Sequence, residues 1–285
     1  MNIKFHFHPI RFNFYGGDVN SFALETNRSV YLIDSSVGSA KAFLIKHLSD
    51  AQADIKKLTV LNTHYHWDHA SLNGFLKKQY HAEIFAHNRS VSLCDKETQY
   101  QIVYGEYQSL HPHAESIHDL YFEEFSFPSL PDFFLQGGEI IEDDGLKLHV
   151  LVTPGHTEDS LSFYEETSGM LFVGDAVQGE GFDGNAPFYR DAKAYYESLR
   201  KLADLHPKKI FCGHGTVEGE TQCAAFLQKS FEWFDRISEA TNNALNHDSD
   251  ISALELSSAL AQQFHYPNSV HIYTTAKAHL NALKE

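Results

Sequence analysis

Asn62-Thr63-His64-Tyr65-His66-Trp67-Asp68-His69 is the stretch from which the rest of this 285-residue chain can be read. It follows directly on an apolar run, Leu58 to Leu61, and it sets four candidate ligands, His64, His66, Asp68 and His69, within six residues. In a loop that turns back on itself, His64 and His66 can face one metal ion while Asp68 and His69 face a second. A catalytic metal site takes three or four such side chains per ion and leaves a position open for water or substrate. Four donors are therefore too few for two ions, and the motif asks for partners elsewhere. The spacing after an apolar strand argues against an accidental His-rich loop.

Three further segments supply the missing donors. Pro154-Gly155-His156-Thr157 follows the apolar run Val150 to Val152. Gly174-Asp175 follows Leu171 to Val173, and Gly213-His214-Gly215 follows Ile210 to Cys212. Each ends a strand pattern beside a glycine, which permits the tight backbone such loops need. Taken singly, a His or Asp beside Gly reads as a turn residue. Taken in this order after the first motif, they read as one constellation.

Outward from the motif, strand and helix patterns alternate. Ile3, Phe5 and Phe7 alternate with polar residues, and strand patterns run from Ser21 to Thr26 and from Ser29 to Asp34. A helix over Ala40–Leu48 precedes the Leu58 strand. A helix over Leu72–Tyr80 and a strand over Glu83–Ala86 follow the motif. Between residues 98 and 135 the periodicity is lost among Tyr, Phe, Pro and His, which predicts an insertion or lid. Strands resume over Glu139–Glu142 and, after the hairpin signal Asp144-Gly145, over Leu146–Val152, Leu161–Tyr164 and Met170–Val173. A helix carrying Tyr195, Leu199 and Leu202 on one face leads to the last strand, Ile210–Cys212. Beyond about Glu220 only helical patterns remain, over Gln222–Asn246, Ile251–Phe264 and Ser269–Leu283. Ser249 or Asp250 is available to cap the second. This predicts a catalytic domain over residues 1–220 and a small helical domain over 221–285.

With all of these residues in place, the sequence resembles the metallo-β-lactamase superfamily, whose pattern is a His-x-His-x-Asp-His loop followed by a His, an Asp and a final His. The resemblance covers roughly residues 1 to 218. It implies an α/β fold, the four-layer αββα sandwich, with the site along one edge of two sheets. It also implies His64, His66 and His156 on one metal, Asp68, His69 and His214 on the other, and Asp175 bridging both. Asp34 matches a position that supports the ligand loop. Two cations about 3.5 to 4 Å apart share a water and lower its pKa toward neutrality, giving a metal-bridging hydroxide as nucleophile. Asp68 and Asp175 are then the catalytic carboxylates. With imidazole and carboxylate donors and no thiolate, zinc, manganese and iron are all acceptable as the two divalent ions, zinc being the default.

The reaction is less sharply marked. Thr63 to Ala70 looks like the glyoxalase II version of the motif, which suggests a thioester. Ser71-Leu72-Asn73-Gly74 departs from that version, and no basic cluster suits the glutathione carboxylates. Residues 155–160, 174–181 and 196–199 are similar to the β-lactamase-like endoribonuclease group, and Tyr273–Leu283 is similar to its recognition-like helix. The chain reaches Glu285 where that group's wing would begin. Lactonases of the superfamily often carry a tyrosine where this chain has Gln178. The aromatic insertion, with Tyr104, Tyr107, Phe122 and Phe125, either lines an apolar substrate pocket or packs on itself. His111, His113 and His118 read as solvated loop residues, because the ligand set is complete without them. The sequence thus reads as a metal-dependent hydrolase cleaving an ester-type bond (ester, thioester, lactone or phosphodiester) in a small molecule. Its alternatives are an endoribonuclease acting on single-stranded RNA and an iron-dependent oxidoreductase of the same fold.

Composition bounds the partners. A formal charge of −16 and a pI near 5.5 argue against a default affinity for nucleic acid or anionic membrane. Acidic residues outnumber Lys and Arg after Gln222, so the helical appendage lacks the face that phosphate backbones demand and suits core packing or a homodimer. Cys94, Cys212 and Cys223 show neither disulfide nor zinc-ligand spacing. No apolar run spans a bilayer and no signal-peptide pattern opens the chain, so the expected location is the cytoplasm.

Overall fold

Apolar side chains that alternate between the two faces of each central strand set the layering of this molecule. In a computed structural model that describes residues 5–53, 56–111 and 117–284, one sheet is formed by His6–Phe14 (β1), Gly17–Glu25 (β2), Ser29–Ile33 (β3), Lys57–Leu61 (β4), Glu83–His87 (β5) and Phe133–Leu135 (β6), in that order. The other holds Ile140–Asp143 (β7), Leu146–Val152 (β8), Leu161–Glu165 (β9), Met170–Gly174 (β10), Lys209–Cys212 (β11) and Gly215–Glu218 (β12), in the order β12-β11-β10-β9-β8-β7. Strands β3 to β6 run parallel, as do β10 and β11. Parallel strands covered on both faces need near-continuous apolar runs, and β4 and β10 have them.

Chain order supplies the helices: Lys41–Asp50 (α1), Trp67–Ala70 (α2), Asn73–Tyr80 (α3), Lys96–Tyr100 (α4), Glu106–Leu110 (α5), His118–Glu124 (α6), Ala192–Ala203 (α7), Glu220–His247 (α8), Ala253–Phe264 (α9) and Val270–Lys284 (α10). Leu61, Phe172 and Phe211 point between the sheets, where Phe22, Leu24 and Phe163 meet them. Their neighbours Leu58 and Val60 point outward onto Leu44 and Leu48 of α1 and Leu76 of α3. On the far side, Leu171, Val173 and Ile210 pack under Tyr195 and Leu199 of α7. That same apolar cluster runs on through Trp233 and Ile237 of α8 to Leu256 of α9 and Ile272 and Ala276 of α10. The result is helix, sheet, sheet, helix, with a C-terminal helical region sharing the core of the outer layer. Each fully buried Leu or Phe contributes about 1.5–3 kcal/mol, so a one-residue slip of β10, which would exchange its two faces, is excluded.

The structure adds to the sequence expectations and corrects one of them. Much of the aperiodic stretch 98–135 is helical: α4 continues through one wide turn, Gln101–Gly105, into α5, and α6 follows. Its aromatics fill several faces at once, which erases a clean period. Strand β12 has no counterpart in the sequence pattern, because four residues after a glycine carry no usable alternation. Neither Ser249 nor Asp250 caps α9. Ser252 does, in a capping box with Glu255, the Ser-x-x-Glu pattern that satisfies two helix-end donors reciprocally. Ile3 and His113 lie outside the described residues. No described helix is long and apolar enough to cross a membrane.

Candidate metal centre

The seven candidate ligands lie in the segments that follow β4, β8, β10 and β11. At the end of β3, Asp34 adopts a left-handed backbone, φ +58°, unusual for a non-glycine residue. Its carboxylate accepts from the Thr63 amide at 2.7 Å, the Thr63 hydroxyl at 2.7 Å and His69 Nδ1 at 2.8 Å. Asn62 Nδ2 donates to the His69 carbonyl at 3.1 Å. These bonds fold the loop after β4 back on itself. His66 is extended (φ −62°, ψ 152°) and the chain turns helical from Trp67, so Asp68 and His69 project from a helical turn in directions His64 and His66 do not share. A second buried carboxylate braces the other flank, where Asp159 accepts from the Tyr65 amide at 3.0 Å and the Ser90 hydroxyl at 2.7 Å.

His156 arrives after β8 with Nδ1 held by the Phe188 carbonyl at 2.7 Å. Its Nε2 lies 3.2 Å from His64 Nε2 and 3.0 Å from His66 Nδ1. Asp175, after β10, places Oδ2 3.6 Å from His156 Nε2 and 3.4 Å from His214 Nε2, and Oδ1 3.6 Å from His69 Nε2. In the turn between β11 and β12, His214 has Nδ1 held by the Asp18 carbonyl at 2.8 Å and Nε2 3.2 Å from Asp68. Two glycines make the approach feasible. A Cβ at Gly213 would fall 2.4 Å from Asp175 Oδ1 and His69 Cε1, and one at Gly155 would fall 2.4 Å from the Tyr195 backbone. All seven sequence-predicted residues are thus brought together.

The donors fit cations. His64, His66 and His156 could hold one ion, and Asp68, His69 and His214 another. Asp175 joins His64 and His69 in a third such group, and within each group the ligand atoms lie within 4.8 Å of one another. His69 Nε2 and Asp175 Oδ1 are buried with no hydrogen-bond partner. Buried polar atoms are rarely left so. Burial, followed by the neighbouring imidazoles, holds His64 well below its ordinary pKa, and burial likewise lowers His66 and His156. Neutral imidazole is the form that ligates a metal. On the other side burial opposes a charged His69, but Asp68, Asp175 and Asp34 outweigh it and hold the ring up to about 9. At His214 burial is again opposed, and Asp175 and Asp68 raise the ring well above its usual value. The two carboxylates therefore draw positive charge to this point.

A cavity of about 200 Å³ opens over these residues. Trp67, Val103, Tyr104, Phe182 and Phe188 form its apolar walls, and α10 adds Val270 and His271. Of the insertion aromatics, Tyr104 therefore reaches the site. Phe125 packs against Tyr121, His118 and Phe122 against Tyr100, and Tyr107 donates to the Asn268 carbonyl at 3.0 Å. His111 bonds the Tyr107 carbonyl through a ring nitrogen at 3.1 Å, away from the ligands. Gln178 is a brace: its amide donates to the Asp175 and Phe188 carbonyls and accepts from the Phe188 amide, fixing the segment that holds His156. Sequence reasoning missed Asp159, Gln178 in this role, Phe182, Phe188 and His271. Asp159 and Gln178 could have been sought near the ligands in sequence. Nothing local marks His271.

A sequence model described as the Metallo-beta-lactamase superfamily matches residues 14–214. The chain is similar to the beta-lactamase-like protein 2 homolog of Drosophila melanogaster, 29% identical over 70% of this chain and 59% of that one. It is similar to the atrochrysone carboxyl ACP thioesterase of Aspergillus fumigatus, 26% identical over 70% and 51%. It is 30% identical to the hydroxyacylglutathione hydrolase of Rhodopseudomonas palustris strain BisB5, over 60% of this chain and 54% of that one. The matches thus span about half the length of these relatives. A crystal structure of a metallo-beta-lactamase family protein from Thermus thermophilus superposes with TM-score 0.75 at 26% identity, covering 99% of this chain and 93% of that one.

Proposed function

This chain belongs to the metallo-β-lactamase superfamily, and from that membership and the geometry of its site we propose that it is a hydrolase holding two divalent metal ions that cleaves an ester-type bond in a small molecule, a thioester foremost. The observation that carries the proposal is the convergence of three imidazoles on one side and two imidazoles with Asp68 on the other, with Asp175 between them. His64, His66 and His156 would hold one ion, Asp68, His69 and His214 the second, and Asp175 both. Bound there, the pair supplies Lewis acidity and a water acidified toward neutrality. Zinc is the first candidate for donors of this type, with manganese and iron chemically acceptable.

The chain's own residues do the rest. Asp68 lines the cavity and is placed to accept a proton from an attacking water. Asp34, the Phe188 carbonyl and the Asp18 carbonyl each fix one ring nitrogen of His69, His156 and His214, which turns the other toward the centre. Trp67, Tyr104 and Phe188 dry the walls, which strengthens charge interactions inside. A thioester is favoured by the Thr63–Ala70 motif and by relatives named as an acylglutathione hydrolase and a thioesterase.

Metal analysis followed by an activity panel of thioesters, lactones, aryl phosphodiesters and single-stranded RNA on one preparation tests the proposal. The expected result is metal-dependent thioester cleavage that falls by about 10³-fold or more in Asp175→Asn. RNA cleavage lost in the same variant would make the chain a nuclease. Oxygen consumption with a sulfur substrate and bound iron would make it an oxidoreductase.

A further inference from the structure

The cavity over the ligands contains one imidazole that belongs to no ligand group. His271 stands in the first turn of α10, lines the same cavity as His156 and His214, and shares none of the three ligand sets. Its ring lies edge-on to Phe188 with centroids 5.5 Å apart, and Phe188 in turn lies edge-on to His156 at 5.2 Å. The His271 ring has no hydrogen-bond partner among the described residues. A second imidazole of the same helix is the internal control. His279 bonds the Tyr189 hydroxyl at 2.5 Å through Nε2 and the Ser238 hydroxyl at 3.1 Å through Nδ1. Both ring nitrogens of His279 are paired within the protein, and neither of His271 is paired among the described residues.

Its position is nevertheless fixed. Thr275 donates to the Pro187 carbonyl at 2.7 Å and accepts from the Tyr189 amide at 3.3 Å, while the Tyr273 hydroxyl donates to Glu106 at 2.8 Å. These bonds tie α10 to the segment whose Phe188 carbonyl orients His156, and to the insertion that carries Tyr104. The helix anchors therefore set the distance from His271 to the ligands, without any bond of its own ring. The His271 ring is half-buried and lines the cavity, where a bound ligand can meet its nitrogens. A polar ligand in the cavity supplies the ring with a hydrogen bond in place of solvent. Burial, followed by His214 and His156, lowers the ring to about 4, so it enters such a bond neutral, as donor or acceptor.

We infer that His271 is a substrate-contacting residue whose ring hydrogen-bonds a polar group of the substrate beside the scissile bond, on the side away from the metal ligands. The inference rests on the hydrolase reading above. It makes α10 part of the substrate site, and it gives the C-terminal helices a part in specificity.

The test uses the full, metal-loaded chain with S-acetyl-N-acetylcysteamine as thioester substrate and its unreactive thioether counterpart as binding probe. His271→Ala, His271→Gln and His271→Phe are compared with the native chain for metal content, for probe affinity by calorimetry, and for kcat and KM. Metal content should be the same in all four. Probe affinity should fall about tenfold in His271→Ala and His271→Phe, the worth of one hydrogen bond, and KM should rise in parallel. His271→Gln, which keeps a donor and an acceptor, should recover most of the loss. A native chain that binds the probe and cleaves the thioester, with His271→Ala unchanged in both, overturns the role of His271 alone. A metal-loaded native chain that does neither overturns the thioester reading and His271's part in it together.

Discussion

The floor and the roof of the site are built on different principles. On the floor, four of the ligand histidines have a ring nitrogen held from behind: His69 by Asp34, His156 by the Phe188 carbonyl, His214 by the Asp18 carbonyl and His64 by the Thr63 hydroxyl. These ligands sit on or beside the ends of strands whose registers the core dictates. On the roof, Tyr104, Val103, Val270 and His271 come from the insertion and from α10. These elements hold each other through Glu106, which accepts from Tyr273 and pairs with Lys277, and through Tyr107 on the Asn268 carbonyl. The floor is fixed residue by residue, whereas the roof is fixed element by element. Chemistry that tolerates no misplacement is thus seated on the sheets, and the surface that selects a substrate is free to vary with the helices that carry it.

This contrast can be broken at either end. The larger effect belongs to the floor. Asp34→Ala removes the carboxylate that orients His69 and holds Thr63, and should weaken metal binding by about 10- to 100-fold while the apolar core stays intact. Metal titration followed by circular dichroism measures it, and unchanged affinity would show that the ligand loop needs no support from β3.

A smaller effect belongs to the roof. Burial holds the His279 ring down to about 3, while an unfolded chain titrates near 6.5. Between those values the unfolded state binds more protons than the folded one, so the stability due to a neutral His279 is complete above pH 6.5 and is lost as pH falls toward 3. The native chain should therefore lose stability on acidification by up to about 1.4 kcal/mol per pH unit more than His279→Gln does. Denaturant unfolding at pH 7, 6 and 5 reads the difference. Equal slopes would mean that this ring does not pin α10.

The same contrast explains what the sequence disclosed. The ligand residues were legible because each follows an apolar strand in a short motif, and Asp34 because it ends one. Layering came only with the family resemblance: Met170, Leu171, Phe172 and Val173 are apolar throughout, and only in the structure do they face the two layers in turn. The insertion was not legible as helix, since Tyr100, Tyr121 and Phe125 pack on one another and blur the helical period. His271 was invisible because nothing within ten residues of it tells which face of α10 meets the site. Its role appears only when Thr275 and Tyr273 fix the rotation of that helix. Gln178 marks the boundary case: it stands three residues after Asp175, close enough to notice, yet its bonds to the Phe188 segment exist only in three dimensions.

The most direct measurement is a crystal structure of the chain grown with zinc, with anomalous scattering recorded at the metal edge. Two peaks are expected, one enclosed by His64, His66 and His156 and one by Asp68, His69 and His214, with Asp175 touching both. A single peak elsewhere, or none in a well-ordered site, would contradict the account.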